Sequence, residues 1–488
     1  MKLKQLMEHL HIPNLPELPD IEISSVEQND QLVQEGCLFI CIKGLRFDGH
    51  DFAHQAVQKG AKAILAERPL DVEVPVIVVK DTKRAMAVIA DAFYQHPSSS
   101  IQLIGITGTN GKTSTSHYVE SIMKHCGKKT GLIGTMYRKV GETILPTKNT
   151  TPDSLSLQQT FYTMKNENVD VCAMEVSSHA LKEGRVYGVD FDIAVFTNLT
   201  QDHLDYHGTM EEYRFTKGLL FAQLGNKYDR MRPKYALLNS DEAASEYYKT
   251  VTPAFIYTYG IYHEADFMAK EVKTNHKGTQ FIFTSPFGEK QLQIPLIGLF
   301  SVYNVLAAAS SCLLAGAPFA QVCEAIEKLT GVPGRFELVS GPQDFTIVVD
   351  YAHTPDSLEN VLETIQQLKQ GDVWVVVGCG GDRDRTKRPI MAKIACSLSD
   401  HAIFTSDNPR SEDPAAIIGD MINGVKEFTN YQVIVDREEA IQQAVRQAKK
   451  NDVILIAGKG HETYQIIGDV VNDFDDRVVA RKAVDTIY

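Results

Sequence analysis

The sequence predicts a three-domain α/β protein, and three observations carry that prediction. The chain has 488 residues, about three domains at ordinary domain size. Short apolar runs alternate with amphipathic segments of helical length, as in mostly parallel sheets covered on both faces. Polar and glycine-rich clusters fall directly after the apolar runs, at the carboxyl edge where such sheets bind ligands. The expected units are residues 1–98, 99–333 and 334–488.

Composition excludes several classes. The chain is 43% apolar and 23% charged, with no segment biased enough for disorder. No run of 18 apolar residues and no apolar N-terminal region occurs, so neither a membrane span nor a signal peptide is expected. The eight cysteines form no C-x-x-C pair and sit mostly in apolar runs. They read as core thiols of a reducing, cytoplasmic compartment. A net charge of −13 argues against a nucleic-acid partner. It leaves room for a nucleotide, whose phosphates need only local amides and a few cations.

In the first unit, Cys37–Ile42, Ala61–Ala66 and Val74–Val79 read as strands, and Phe52–Lys59 and Thr82–Tyr94 as helices. Lys43–His50 is a loop, and Gln95–Ser100 links to the second unit.

The second unit opens on Leu103-Ile104-Gly105-Ile106-Thr107-Gly108-Thr109-Asn110-Gly111-Lys112-Thr113-Ser114. An apolar strand leads into glycines, then Lys-Thr, then a helix. Glycines let backbone N–H groups turn toward an anion. Lys112 is placed to reach β- and γ-phosphates, and the Thr113 hydroxyl to hold Mg²⁺. The general phosphate-loop pattern asks for glycine at 106, where this chain has isoleucine. Strands are expected at Thr130–Met136, Asp170–Val176 and Asp192–Phe196, alternating strands over 250–297, then helices at Ser301–Ala315 and Phe319–Leu329. Glu175 closes its strand beside the loop, where one carboxylate with phosphate oxygens suffices for Mg²⁺. His203, between Asp202 and Asp205, is a second candidate ligand. Lys217 reads from composition as an exposed helix lysine.

The third unit has apolar runs at Phe345–Val349, Val373–Val377, Ala402–Phe404, Val433–Val435 and Val453–Ile456, separated by helical segments. This is a Rossmann-like, doubly wound pattern. Gly378-Cys379-Gly380-Gly381 is not a dinucleotide fingerprint, because the third glycine would fall at Arg383. Four strands end in charged loops: Asp350–Pro355 with His353, Gly381–Arg388, Thr405–Arg410 and Gly458–Glu462. Arginines there suit carboxylates, which guanidinium binds bidentately. Asp407 and Glu462 suit an ammonium. A ligand with both groups is an amino acid, ideally one with a second charged end.

Gly108–Thr113, Glu175–His179, Asn198–Asp205, Asn304, Gly334-Arg335-Phe336 and Asp350–Pro355 together resemble the successive signatures of the Mur ligases, across essentially the whole chain. Asn149-Thr150-Thr151-Pro152 and Asp407-Asn408-Pro409-Arg410 resemble the branch that adds meso-2,6-diaminopimelate. Lysine-adding relatives lack the final arginine of the second motif. The resemblance implies an ATP- and Mg²⁺-dependent amide ligase of cytoplasmic peptidoglycan precursor synthesis, acting as a monomer on UDP-N-acetylmuramoyl-L-alanyl-D-glutamate. It implies ATP contacts from Gly108, Thr109, Asn110, Gly111, Lys112, Thr113, Ser114, Asn304, Arg335 and Asp350. Metal ligands would be Thr113, Glu175, His203 and Lys217, the last after carbamylation. Asn149, Thr150, Thr151, Ser177, Glu183 and Arg185 would hold the UDP-dipeptide. Arg383, Asp407, Asn408, Pro409, Arg410, Gly458 and Glu462 would hold diaminopimelate, with His353 as base for its amine. The chain departs from the family at Asn29-Asp30-Gln31, where relatives carry Asp-Ser-Arg, and its uracil-facing loop would be Leu45-Arg46-Phe47. Glu183 stands where some relatives have glutamine. The alternatives are a lysine-adding or folylpolyglutamate-type ligase, and a nucleotide-binding regulator with a degenerate site.

Overall fold

The structure is a computed structural model that describes every residue except 14, 16, 45, 46, 227, 228 and 488. Two residues of the expected uracil-facing loop, Leu45 and Arg46, thus lie outside the described residues. Phe47, the third, is exposed.

Near the N-terminus a four-stranded parallel sheet runs in the order Ser25–Glu27, Cys37–Ile40, Ala61–Ala66, Val76–Val78. Helix Thr82–Phe93 covers one face through Ala85, Met86, Ile89 and Ala90, which recur at helical spacing. Its first turn is capped by Asp81, whose carboxylate accepts from Arg84 N at 2.9 Å.

The central sheet has eleven strands, and its parallel core places the phosphate loop. Gln102–Thr107 lies between Ile193–Phe196 and Val171–Glu175, with Ile193 opposite Ile104 and Gly105 opposite Met174. The chain goes first to one side of Gln102–Thr107 and later to the other. The loop after it therefore sits at the switch point where parallel sheets open a crevice. The central strands are apolar on both faces because both faces are covered. Ile104, Ile106, Ile193 and Val195 pack toward helix Leu299–Leu314, and Leu103, Met174, Ala194 and Phe196 toward Phe161 and Phe221.

Residues 250–297 do alternate, as expected, but they extend this same sheet. Phe255–Gly260 adds in parallel, and Phe267–Asn275, Gly278–Ser285 and Gly288–Ile294 follow as an antiparallel meander. The strand expected over Thr130–Met136 stops at Ile133, where Gly134 N bonds to Tyr137 O and a hairpin begins. That hairpin, Arg138–Val140 with Thr143–Leu145, was not expected, nor was strand Tyr235–Asn239.

The third sheet runs Glu337–Leu338, Thr346–Asp350, Val453–Ala457, Val373–Val377, His401–Phe404, Tyr431–Val433, with only the first strand antiparallel. The last strand begins two residues before the expected run; it is the sheet edge, and Val433 and Val435 are exposed. An unexpected hairpin, Tyr464–Ile467 with Val470–Asp473, stands beside this sheet. All eight cysteines are free, and all but Cys126 are fully buried. Among the described residues no helix is long and apolar enough to cross a membrane.

Candidate active site

The carboxyl edges of the central and third sheets face each other across a cleft of about 850 Å³. On the central side, Gly111 takes a left-handed φ of 85° and starts helix Lys112–His125. A side chain there would overlap Asn304 Oδ1, and one at Gly108 would overlap Thr197 Oγ1, so both positions need glycine. The loop is held by Asn198, which accepts from Asn110 N at 2.8 Å through its side chain and from Thr109 N at 2.9 Å through its carbonyl. Lys112 Nζ folds over its own loop onto Gly108 O at 2.9 Å and Thr109 O at 2.8 Å.

Glu175 is fully buried, and three donors converge on its carboxylate. Thr113 Oγ1 and Thr135 Oγ1 each donate to Oε2 at 3.0 Å, and Thr135 N to Oε1 at 2.8 Å. A hydroxyl and a carboxylate are oxygen donors of the kind that suit Mg²⁺. Arg335 reaches the same point, donating through Nη2 to Thr113 Oγ1 at 3.2 Å while its guanidinium lies 4.3 Å from the Tyr351 ring centroid. Asp350 accepts from Phe336 N at 2.7 Å, and burial lifts its carboxyl to about 6 against the pull of Arg335.

Lys217 corrects its reading as an exposed lysine. Helix Met210–Ala222 turns it inward, where it is 1% exposed, its Nζ 2.7 Å from Gly108 O and 4.4 Å from the Tyr213 ring centroid. Burial and then the charge of Lys112 hold its amine well below the ordinary lysine range, against the opposing pull of Asp202. A single lysine in a helical pattern carries no sign of which face it occupies.

Between the sheets, Asp202 gathers three cations or imidazoles. His203 Nε2 lies 3.3 Å away, Lys387 Nζ 3.5 Å and His353 Nε2 3.8 Å. Burial raises the Asp202 carboxyl, but Lys387 and the two histidines outweigh it, and the net shift is downward. Burial presses His203 down to about 3 and His353 to about 4. His353 donates from Nδ1 to Tyr351 O at 2.8 Å, which leaves its lone pair on Nε2. An imidazole of that acidity is a poor acceptor for an ammonium proton. The low value weighs against His353 as the base for the amine, and with its lone pair on Nε2 it is no donor to Asp202.

On the third-sheet side, Arg383 and Arg410 bracket Gly380, where an added Cβ would stand 2.9 Å from Arg410 Nη1 and 3.9 Å from Arg383 Cγ. Burial and the nearby Arg410 charge lower Arg383. Both arginines line the cleft, and guanidinium is suited to carboxylates. Asp407 and Glu462 face the same space, and burial followed by Asp407 raises the Glu462 carboxyl.

Most of the expected residues line this one cleft. Three do not. Thr151 is fully buried, its hydroxyl donating to Glu175 O at 2.8 Å and accepting from Ser177 N at 3.0 Å. Glu183 lies behind the wall, its carboxylate taking both Arg185 Nε at 3.2 Å and Nη2 at 3.1 Å. Pro409 turns its carbonyl away, toward Glu412 N at 3.0 Å. Thr135, Tyr351 and Lys387 belong to the site and were missed. Lys387 lies in the charged run after Gly381, whose arginines alone drew attention; Thr135 and Tyr351 had no distinguishing spacing.

Three family profiles match the chain: the Mur ligase family catalytic domain over residues 22–94, the Mur ligase middle domain over 106–312, and the Mur ligase glutamate ligase domain over 334–460. The UDP-N-acetylmuramoyl-L-alanyl-D-glutamate–2,6-diaminopimelate ligase of Bacillus licheniformis is 57% identical over 485 residues, 99% of each chain. The ligase of that name from Geobacillus thermodenitrificans is 58% identical over 464 residues, 95% of each. A solved structure of a ligase of that name superposes with a TM-score of 0.69 at 33% identity, covering 99% of each chain. The MurF structure from Acinetobacter baumannii, at 19% identity and a TM-score of 0.69 over 93% of this chain and 95% of its own, shares the fold. The chain belongs to the Mur ligase family.

Proposed function

We propose that this ligase joins the D-glutamyl γ-carboxylate of UDP-N-acetylmuramoyl-L-alanyl-D-glutamate to an amine of meso-2,6-diaminopimelate, converting ATP to ADP and phosphate. The observation that carries this reading is the shared cleft. A phosphate-binding loop and a paired-guanidinium pocket with two carboxylates open into the same space. The names of the relatives agree with it.

The chemistry runs in two steps. A carboxylate oxygen attacks the γ-phosphorus, the bond to the ADP oxygen breaks, and an acyl phosphate forms. The amine nitrogen then attacks the acyl carbon, the carbon–oxygen bond to phosphate breaks, and one proton is lost from nitrogen. The protein positions reactants and neutralises charge, as is general for phosphoryl transfer. Lys112, once off its own loop carbonyls, meets the β- and γ-phosphates. Thr113, Glu175 and His203 would hold Mg²⁺, which supplies charge neutralisation on the phosphates. Burial and the nearby Lys112 charge favour the neutral Lys217 amine; as the free amine it would add CO₂, and its carbamate would give a further oxygen ligand. Residues 1–98, with Asn149, Thr150, Ser177 and Arg185, would take the UDP-dipeptide. Residues 99–333 would take ATP, and residues 334–488 the diamino acid.

Arg410 discriminates acceptors in this account, because diaminopimelate carries a distal carboxylate that lysine lacks. A phosphate-release assay with the UDP-dipeptide and a panel of diamino acids tests it. Turnover is expected with meso-diaminopimelate and far less with L-lysine. Arg410→Ala should cut kcat/KM for diaminopimelate about 10- to 100-fold, the range for a lost charge-assisted hydrogen bond. Undiminished ligation by that variant, or ATP turnover independent of both co-substrates, would overturn the reading.

A further inference from the structure

Behind the diamino-acid pocket lies a lysine that does not open onto the cleft. Lys459 is 0% exposed, between Gly458 at φ 116° and Gly460 at φ 51°, in the loop after Val453–Ala457. Its Nζ donates to Glu462 Oε2 at 3.1 Å and Asn408 Oδ1 at 3.2 Å, and lies 5.5 Å from the Tyr464 ring centroid. Asn408 is pinned from both ends. Its Oδ1 also accepts from Ile466 N at 3.0 Å, and its Nδ2 donates to Glu462 Oε2 at 2.8 Å. Two donors on one side and a carboxylate on the other fix the amide's orientation.

The same network reaches Arg410. Gln465 Nε2 donates to Asp407 O at 2.8 Å. Arg410 sits at φ 51°, a left-handed conformation that side chains other than glycine seldom take. It is held there by its N–H on Ile466 O at 3.1 Å and by Gly468 N–H on its own carbonyl at 2.7 Å. From that turn Arg410 Nη1 reaches Gly381 O at 2.7 Å, at the mouth of the pocket.

We infer that Lys459 is a positioning residue for the diamino acid: it fixes Glu462 and Asn408, and through the Asn408–Ile466 contact the Arg410 turn, without touching the acceptor. Its charge offsets one of the two pocket carboxylates, the buried Asp407 and the half-buried Glu462. The other carboxylate remains to meet an ammonium, while the guanidiniums face carboxylates. This rests on the reaction proposed above.

Steady-state kinetics of Lys459→Met in the full chain tests it, with each of the three substrates varied in turn. KM for meso-diaminopimelate should rise at least tenfold, while KM for ATP and for the UDP-dipeptide stay within twofold of wild type. Acyl phosphate formation without acceptor, trapped by hydroxylamine as the hydroxamate, should also stay within twofold. Lys459→Gln, which keeps a donor but not the charge, should show a smaller rise in the same KM. An unchanged diaminopimelate KM, or a parallel rise in all three, overturns the inference. So does failure of both variants to fold, since Lys459 would then serve the fold and not the acceptor. Wild-type protein that does not turn over meso-diaminopimelate would instead count against the reaction itself.

Discussion

Glu175 shows how much one residue decides. It sits at a strand end that only parallel pairing with Gln102–Thr107 brings beside the phosphate loop, and its oxygens already receive Thr113 and Thr135. Glu175→Gln keeps the shape and removes the charge. It should lower phosphate release about 10²-fold or more, the scale of lost electrostatic stabilisation in phosphoryl transfer, with the melting temperature little changed. A variant that retains turnover would remove Glu175 from the metal site. At this scale the sequence was informative wherever residue type and spacing carry chemistry. Lys112 and Thr113 follow glycines, and Arg410 follows Asp-Asn-Pro. It was silent where a role comes from burial. Lys217 and Lys459 are ordinary lysines until a helix face and a pair of glycines turn them inward.

Among the elements, strands buried on both faces were legible from their apolar runs. The two unexpected hairpins were not. Arg138–Leu145 and Tyr464–Asp473 are short and largely polar or exposed, so no periodicity marks them. The second is nevertheless tied by four hydrogen bonds to the Asp407–Arg410 segment. Helices Arg437–Gln447 and Asp476–Ile487 are joined by a fully buried pair, with Arg437 Nη2 2.8 Å from Asp476 Oδ2 and Nε 2.8 Å from Oδ1. Asp476→Asn leaves the guanidinium without its counter-charge. It should cost about 3–5 kcal/mol of stability, read by denaturant unfolding; a loss under 1 kcal/mol would show that the pair is replaceable by a neutral amide.

Over the whole molecule, contacts cross between units that the sequence read as separate. Asn110 Nδ2 donates to Asp356 Oδ2 at 2.7 Å, Gln201 Nε2 to Thr386 Oγ1 at 3.1 Å, and Arg335 to Thr113. None of these was legible, because pairings over such separations follow from domain packing and not from local pattern. The junction of the first two units holds Glu27, whose carboxyl burial and then Asp153 push up to about 7. A raised carboxyl contributes stability that is full below its unfolded value near 4.5 and is lost as pH climbs through 7. The melting-temperature gain of Glu27→Gln over wild type should therefore be larger at pH 8 than at pH 5. An equal difference at both values would place Glu27 in solvent.

The domains converge on one reaction, and oxygen transfer reads it most directly. With the γ-carboxylate of the UDP-dipeptide labelled with ¹⁸O, and ATP and meso-diaminopimelate present, released phosphate should carry one ¹⁸O, because the attacking carboxylate oxygen leaves with phosphorus. Phosphate free of label during amide formation would contradict the acyl phosphate, and with it the task assigned to the loop at Gly108–Ser114.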